Sequence, residues 1–114
     1  MTAKAQWAAA VRESGPEESL AFQLRAVGIP FVRQYQYAPP RKFRADFAFL
    51  RPQGLLVEVV GGIYTGKAHG SITGILKDIE RLNHATRAHW LMLRVTPDMV
   101  NSGEALQWIE EMLR

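Results

Sequence analysis

The chain has 114 residues, enough for one compact domain and little more. Apolar residues make up 47% and charged residues 22%, ordinary globular proportions, and the formal charge of +3 is a mild basic bias compatible with nucleic acid. Cysteine is absent, which excludes disulfides, thiolate nucleophiles and cysteine-based zinc sites.

Residues 1–13 are Ala-rich with a single Trp and read as either a short helix or a loose N-terminal arm. They are too weakly apolar for a signal peptide, and no apolar run approaches the ~18 residues of a membrane helix. A cytoplasmic protein without membrane association is therefore expected. Ser14-Gly15-Pro16-Glu17 has the form of a helix start, with a capping hydroxyl, an early Pro and an acidic residue three positions on. Leu20, Leu24 and Val27 follow at helical spacing, and Gly28 and Pro30 end the helix. Residues 14–114 are expected to form one domain.

Phe31 to Tyr37 reads as a strand ended by Pro39-Pro40. Phe43 to Leu50 alternates, with Phe43, Ala45, Phe47 and Phe49 on one face and Arg44, Asp46, Ala48 and Leu50 on the other. Arg51-Pro52-Gln53-Gly54 is a turn signal. Leu55 to Val60 is nearly continuous apolar sequence, as in a central strand covered on both faces. A glycine-rich stretch from Gly61 to Gly74 contains Lys67 and His69 and reads as a long loop of the kind that carries function. It lacks the Gly-Lys-Ser/Thr ending of a phosphate loop, so nucleotide binding is rejected.

Ile72, Ile75, Leu76, Ile79 and Leu82 then give an amphipathic helix reaching about Thr86. Trp90 to Val95 is a further strand, Thr96-Pro97 starts a helical turn, and Ala105, Leu106, Ile109, Met112 and Leu113 set a last helix against the core. The expected class is α/β: a mixed sheet flanked by helices, with an antiparallel hairpin first and a parallel crossover later.

Glu58 is the most informative residue, because a carboxylate within Leu55–Val60 is costly unless it is paired or metal-bound. An ion pair with Arg44 or Arg94 would satisfy it. If the hairpin closes over Arg51-Pro52-Gln53, Leu50 pairs with Gly54 and Asp46 falls opposite Glu58, ~5 Å between Cβ atoms. Two such charges require a divalent cation, a bridging Arg or one protonated carboxyl. A register slip of one residue would separate them. Arg33, Arg41, Lys42 and Arg44, interleaved with Tyr35, Tyr37 and Phe43, form either a solvated strand face or a nucleic-acid contact. His84 and His89 read as surface or packing residues, Tyr35 and Tyr37 as core residues or base-stacking platforms, and Trp7, Trp90 and Trp108 as anchors.

In order, Glu18…Gln23-Leu24-Arg25…Gly28-Ile29-Pro30, Arg44-Ala45-Asp46-Phe47-Ala48, Val57-Glu58-Val59-Val60-Gly61-Gly62-Ile63-Tyr64, His69-Gly70, Asp78…Arg81…Asn83 and Leu93-Arg94-Val95-Thr96-Pro97-Asp98-Met99-Val100 resemble the PD-(D/E)XK nuclease superfamily. The closer resemblance is to small phage- and prophage-encoded endonucleases related to very-short-patch-repair-like proteins. It spans about residues 16–100. It implies a restriction-endonuclease-like αβββαβ core plus a C-terminal helix, and Mg²⁺- or Mn²⁺-dependent hydrolysis of DNA.

On that resemblance Asp46 and Glu58 are metal ligands, the Val59 carbonyl a third, and Glu18 a ligand directly or through water. Gln23 would support the site from the same helix, and His69 would join the catalytic group. Arg41, Lys42, Arg44, Lys67, Lys77 and Arg81 would contact DNA. Val60 departs from the motif, which has Lys there, or Glu in the closer relatives. A Val side chain cannot orient water or bind metal, so Lys67, Lys77 or His69 would have to substitute, or the chain is a DNA-binding module without catalysis. A junction-resolving enzyme would in addition be a homodimer.

Overall fold

The computed structural model describes residues 3–60 and 71–114. The first element, α1 (Ala3–Ala26), is two helical stretches meeting at Gly15, whose backbone at φ 80°, ψ 179° lies outside the helical region. Only glycine adopts that conformation without strain. Pro16 therefore opens the second stretch, where its missing N–H costs nothing. That stretch buries Ser19, Leu20, Ala21, Gln23 and Leu24. It stops at Gly28 (φ 77°), and the Ile29 N–H closes the turn on the Leu24 carbonyl at 3.0 Å. Residues 3–13 are helical.

The sheet comprises β1 (Val32–Gln36), β2 (Arg44–Phe49), β3 (Leu55–Val59) and β4 (Leu91–Val95), in spatial order β1-β2-β3-β4. β1, β2 and β3 run antiparallel in turn, and β4 lies parallel to β3. Between β3 and β4 comes α2 (Ile72–Arg87), and after β4 come α3 (Pro97–Ser102) and α4 (Glu104–Met112). The fold is α/β with a mixed four-stranded sheet, in the element order expected from the sequence.

On one face of the sheet Phe47, Phe49, Leu55 and Val57 pack with Leu20, Leu24, Val95, Val100 and Ile109. Thr96 caps α3 by accepting the Met99 N–H, and Gly103, in the left-handed conformation, turns the chain from α3 into α4. The other face holds a smaller cluster of Tyr37, Phe43, Ala45, Ala48, Leu56 and Ala85, with Tyr35, Trp90 and Met92 against it. Burial of Leu55 and Val57 on one side and Leu56 on the other makes β3 the doubly covered strand its sequence indicated.

Three expectations need correction. The alternation in β2 does not hold along its length, because Phe43 and Ala45 join the smaller cluster while Phe47 and Phe49 join the larger. The β1–β2 ladder passes from Arg33↔Phe47 to Tyr35↔Ala45 without a Gln34↔Asp46 pair, and Gln34 has a left-handed φ of 50°. The pleat is broken at the level of Asp46. Second, Val27 follows the helical period but is 50% exposed, since α1 ends at Ala26.

Third, α2 turns its apolar stripe away from the sheet. Ile72, Ile75, Leu76, Ile79 and Leu82 are all exposed, and Ala85 is the one buried residue of the helix. The surface beneath α2 is partly polar and is met by Arg81 and His84 instead. Arg81 accepts the Tyr37 hydroxyl at its carbonyl (3.4 Å) and reaches the Arg44 carbonyl (3.0 Å) with its guanidinium. The His84 ring lies 5.7 Å from that of Phe43.

Candidate functional site

The β2–β3 ladder pairs Phe47↔Val57, Ala48↔Leu56 and Phe49↔Leu55. This is the register inferred from the turn, and its continuation sets Asp46 opposite Glu58. At that level the ladder ends, and the Val59 N–H donates to Asp46 Oδ2 at 2.8 Å. Asp46 Oδ1 accepts from the Gln34 amide at 3.3 Å, and the same amide nitrogen donates to Glu17 Oε1 at 3.0 Å. Burial pushes the Asp46 carboxyl above its ordinary pKa. The Val59 N–H and the Gln34 amide pull the other way, while the charges of Glu17 and Glu58 add to the rise.

Glu58 is 14% exposed and ion-paired to Arg81, with Arg94 Nε 3.5 Å from its Oε2. Arg94 Nε makes no hydrogen bond, so its attraction to Glu58 is Coulombic. Of the two arginines expected as partners, Arg94 holds this place and Arg44 contributes only its carbonyl, to Arg81. Burial works against the Arg81 charge, but the Glu58 charge and hydrogen bond outweigh it and raise the guanidinium further.

Glu18 is held by Arg33 at 2.7 Å, which lowers its pKa against the opposing effect of burial. Arg33 also pairs with Glu17 at 2.9 Å and lies 5.1 Å over the Phe47 ring. Of these adjacent helix residues, Glu17 is the one that shares Gln34 with Asp46. Gln23 lies away from this network: it is buried and donates to the Val100 carbonyl at 3.1 Å, tying α1 to α3. It is a structural clamp and not a support for the carboxylates.

The basic residues gather partly as expected. Arg41 and Arg81 lie 4.8 and 5.7 Å from the Phe43 ring centre, and Arg41 is also ion-paired to Glu80 on α2. Lys42, Arg44 and Lys77 are exposed. Tyr37 is buried with its ring stacked on Phe43, and Tyr35 packs edge-on to Trp90, so both serve the smaller core. The His69 and Lys67 assignments lie outside the described residues. Val60 is half-buried, with its N–H on the Val95 carbonyl at 2.8 Å. Sequence reasoning missed Glu17, Gln34 and the Arg33 bridge. The only available signal was the run of polar residues facing α1 across a strand start.

Among the described residues, no group of three or more acidic or imidazole side chains is gathered so as to hold a metal ion. Asp46, Glu58 and the Val59 carbonyl nevertheless offer hard oxygen donors, and Mg²⁺ characteristically uses one or two carboxylates with water and phosphate completing its shell. The half-buried Asp46 carboxyl, whose proton affinity burial raises, has no arginine ion-paired to it among the described residues, whereas Glu58 and Glu17 are each paired to an arginine. The donor chemistry fits a divalent cation, provided Arg81 yields its hold on Glu58. No helix among the described residues is long and apolar enough to cross a membrane. No protein-family model, curated protein or solved structure matches the chain.

Proposed function

We propose that this chain is a metal-dependent DNA endonuclease of the PD-(D/E)XK kind, on a restriction-endonuclease-like fold, with Asp46 and Glu58 as its metal-binding carboxylates. The observation that carries this reading is the Asp46 carboxyl at the open end of the β2–β3 hairpin, in register with Glu58 and raised in pKa by burial and by its acidic neighbours. Perturbed carboxyl groups of this kind collect at functional sites.

Mg²⁺ or Mn²⁺ bound there would supply Lewis-acid polarisation of the phosphodiester and a more acidic water. The Val59 N–H fixes the Asp46 carboxylate. Arg81 and Arg94 neutralise Glu58 in the absence of the ion and offer guanidinium donors to an incoming phosphate. Arg41, Lys42, Arg44 and Lys77 supply backbone contacts that carry no sequence choice. Glu18 belongs to the rim of the site, through Arg33. Orientation of the attacking water, which Val60 cannot perform, falls to Lys77 or to Lys67 or His69 of the glycine-rich stretch. The small size leaves little room for sequence recognition, which favours branched, junction or mismatched DNA as substrate, in phage-type recombination or repair within a bacterial cytoplasm.

A second reading, a DNA-binding module without catalysis, is favoured by Val60 and by the two guanidinium groups on Glu58. Cleavage of labelled duplex, nicked, flap, mismatched and four-way-junction DNA with Mg²⁺ or Mn²⁺ separates the two. Cutting lost in both Asp46→Ala and Glu58→Ala supports the nuclease. DNA binding with no cutting by the parent, and cutting by Val60→Lys, supports the module with a dormant metal site. Binding with no cutting by any variant leaves the module alone.

A further inference from the structure

The inverted helix α2 is the largest unexplained feature of the surface. Ile72 is 77% exposed, Leu76 61% and Ile79 51%, with Ile75 and Leu82 close behind. At those fractions the five side chains present on the order of 550 Å² per copy, the upper end of the ~300–600 Å² of the largest patch on an ordinary monomer. Two such patches face to face bury at most about 1,100 Å², level with the ~1,000 Å² expected of a specific interface.

The spacing of the stripe selects the occupant. Ile72, Ile75, Ile79 and Leu82 follow one another at three, four and three residues, the a-d-a-d alternation of a coiled-coil seam, with Leu76 flanking it. Such a seam is complementary to itself when run antiparallel. Ile72 then meets Leu82 of the second copy, Ile75 meets Ile79, and the twofold axis passes at the level of position 77, one residue from Leu76. The polar side of α2 is engaged with the sheet through Arg81 and His84, which leaves the stripe as the apolar surface the helix presents.

We propose that two copies of this chain associate through an antiparallel pairing of their α2 helices, with Ile72, Ile75, Ile79 and Leu82 as the seam and Leu76 next to the twofold axis. The pairing does not depend on the nuclease reading. Where that reading holds, the dimer carries two Asp46–Glu58 sites, the number required to cut two strands of a branched molecule.

Light scattering coupled to size exclusion tests it. The parent is expected at twice its 12.8 kDa chain mass, and Leu76→Lys/Ile79→Lys at the single-chain mass with unchanged circular dichroism, because both positions are exposed within one copy. The cysteine-free background gives a second readout that needs no loss of structure. Under mild oxidation Leu76→Cys is expected to form a disulfide-linked dimer. Ile72→Cys, whose counterpart lies about 15 Å along the paired helix at 1.5 Å per residue, is expected to stay unlinked. A parent of single-chain mass up to about 200 µM overturns the proposal, as does a dimer unaffected by the double Lys variant. Linkage through Ile72 but not Leu76 overturns the antiparallel register.

Discussion

Asp46 Oδ2 accepts the main-chain N–H of Val59 at 2.8 Å, so a side chain takes up the amide that the end of the β2–β3 ladder leaves over. This one contact does two things. It satisfies a half-buried backbone donor, and it holds a carboxylate beside Glu58 in a setting whose burial disfavours its charge.

The charged form of Asp46 is therefore a cost to folding. Its pKa is raised in the folded chain, so its contribution to stability is fully present below the unfolded value of about 3.9 and is lost as pH rises through the folded value. Asp46→Asn keeps an oxygen acceptor for Val59 and removes the charge. Urea midpoints followed against pH are expected to show the variant more stable than the parent at pH 7, with the two converging as pH falls below about 4. A variant less stable than the parent at neutral pH would contradict the balance described.

Glu58 depends on Arg81 for its closest counter-charge. Arg81→Met leaves it with Arg94 alone, at 3.5 Å and without a hydrogen bond. The expected loss is about 2–3 kcal/mol in chemical denaturation, below the ~3–5 kcal/mol of a fully buried pair because both partners retain some exposure. Millimolar Mn²⁺ should restore part of that loss in Arg81→Met, through Glu58, and none of it in Arg81→Met/Glu58→Gln.

Gly54 lies beneath Trp90, and a Cβ at this position would fall 2.7 Å from the indole ring. The Leu91 N–H, next to that Trp, bonds to the Gly54 carbonyl at 3.0 Å, so neither backbone can retreat freely. Gly54→Ala is expected to cost about 1–3 kcal/mol through overpacking, read as a lower thermal midpoint. Gly54→Ala/Trp90→Leu should recover much of it relative to Trp90→Leu alone.

Phe47 of β2 is fully buried in the larger cluster with Leu20 and Leu24 of α1, edge-on to Phe31 with centroids 5.4 Å apart. Phe47→Ala should lose about 3–5 kcal/mol, a large share of a small domain's stability.

Much of this was readable in the residues. Pro52 and Gly54 fixed the turn, the turn fixed the register, and the register brought Asp46 level with Glu58. Gly28 ended α1 where expected, and the apolar run of Leu55–Val59 became the doubly covered strand. What failed has a common cause: period and composition report a buried face but not which surface buries it. The stripe of α2 has a clean helical period and still faces outward, because Arg81 is drawn to Glu58 and to the Arg44 carbonyl. Phe43 and Phe47 share a parity and lie in different clusters because the pleat breaks at Gln34. Glu17 and Glu18 are adjacent on a helix, and only the tertiary position of Gln34 distinguishes the one that shares a partner with Asp46.

The most direct test of the metal-site reading is a Mn²⁺ titration of the parent, Asp46→Asn and Glu58→Gln at pH 7, followed by calorimetry or by the spin-resonance signal of the free ion. One site per chain in the parent, lost or weakened at least tenfold in each variant, is the expected result. No binding by the parent, or equal binding by all three proteins, would contradict a metal centre at Asp46 and Glu58.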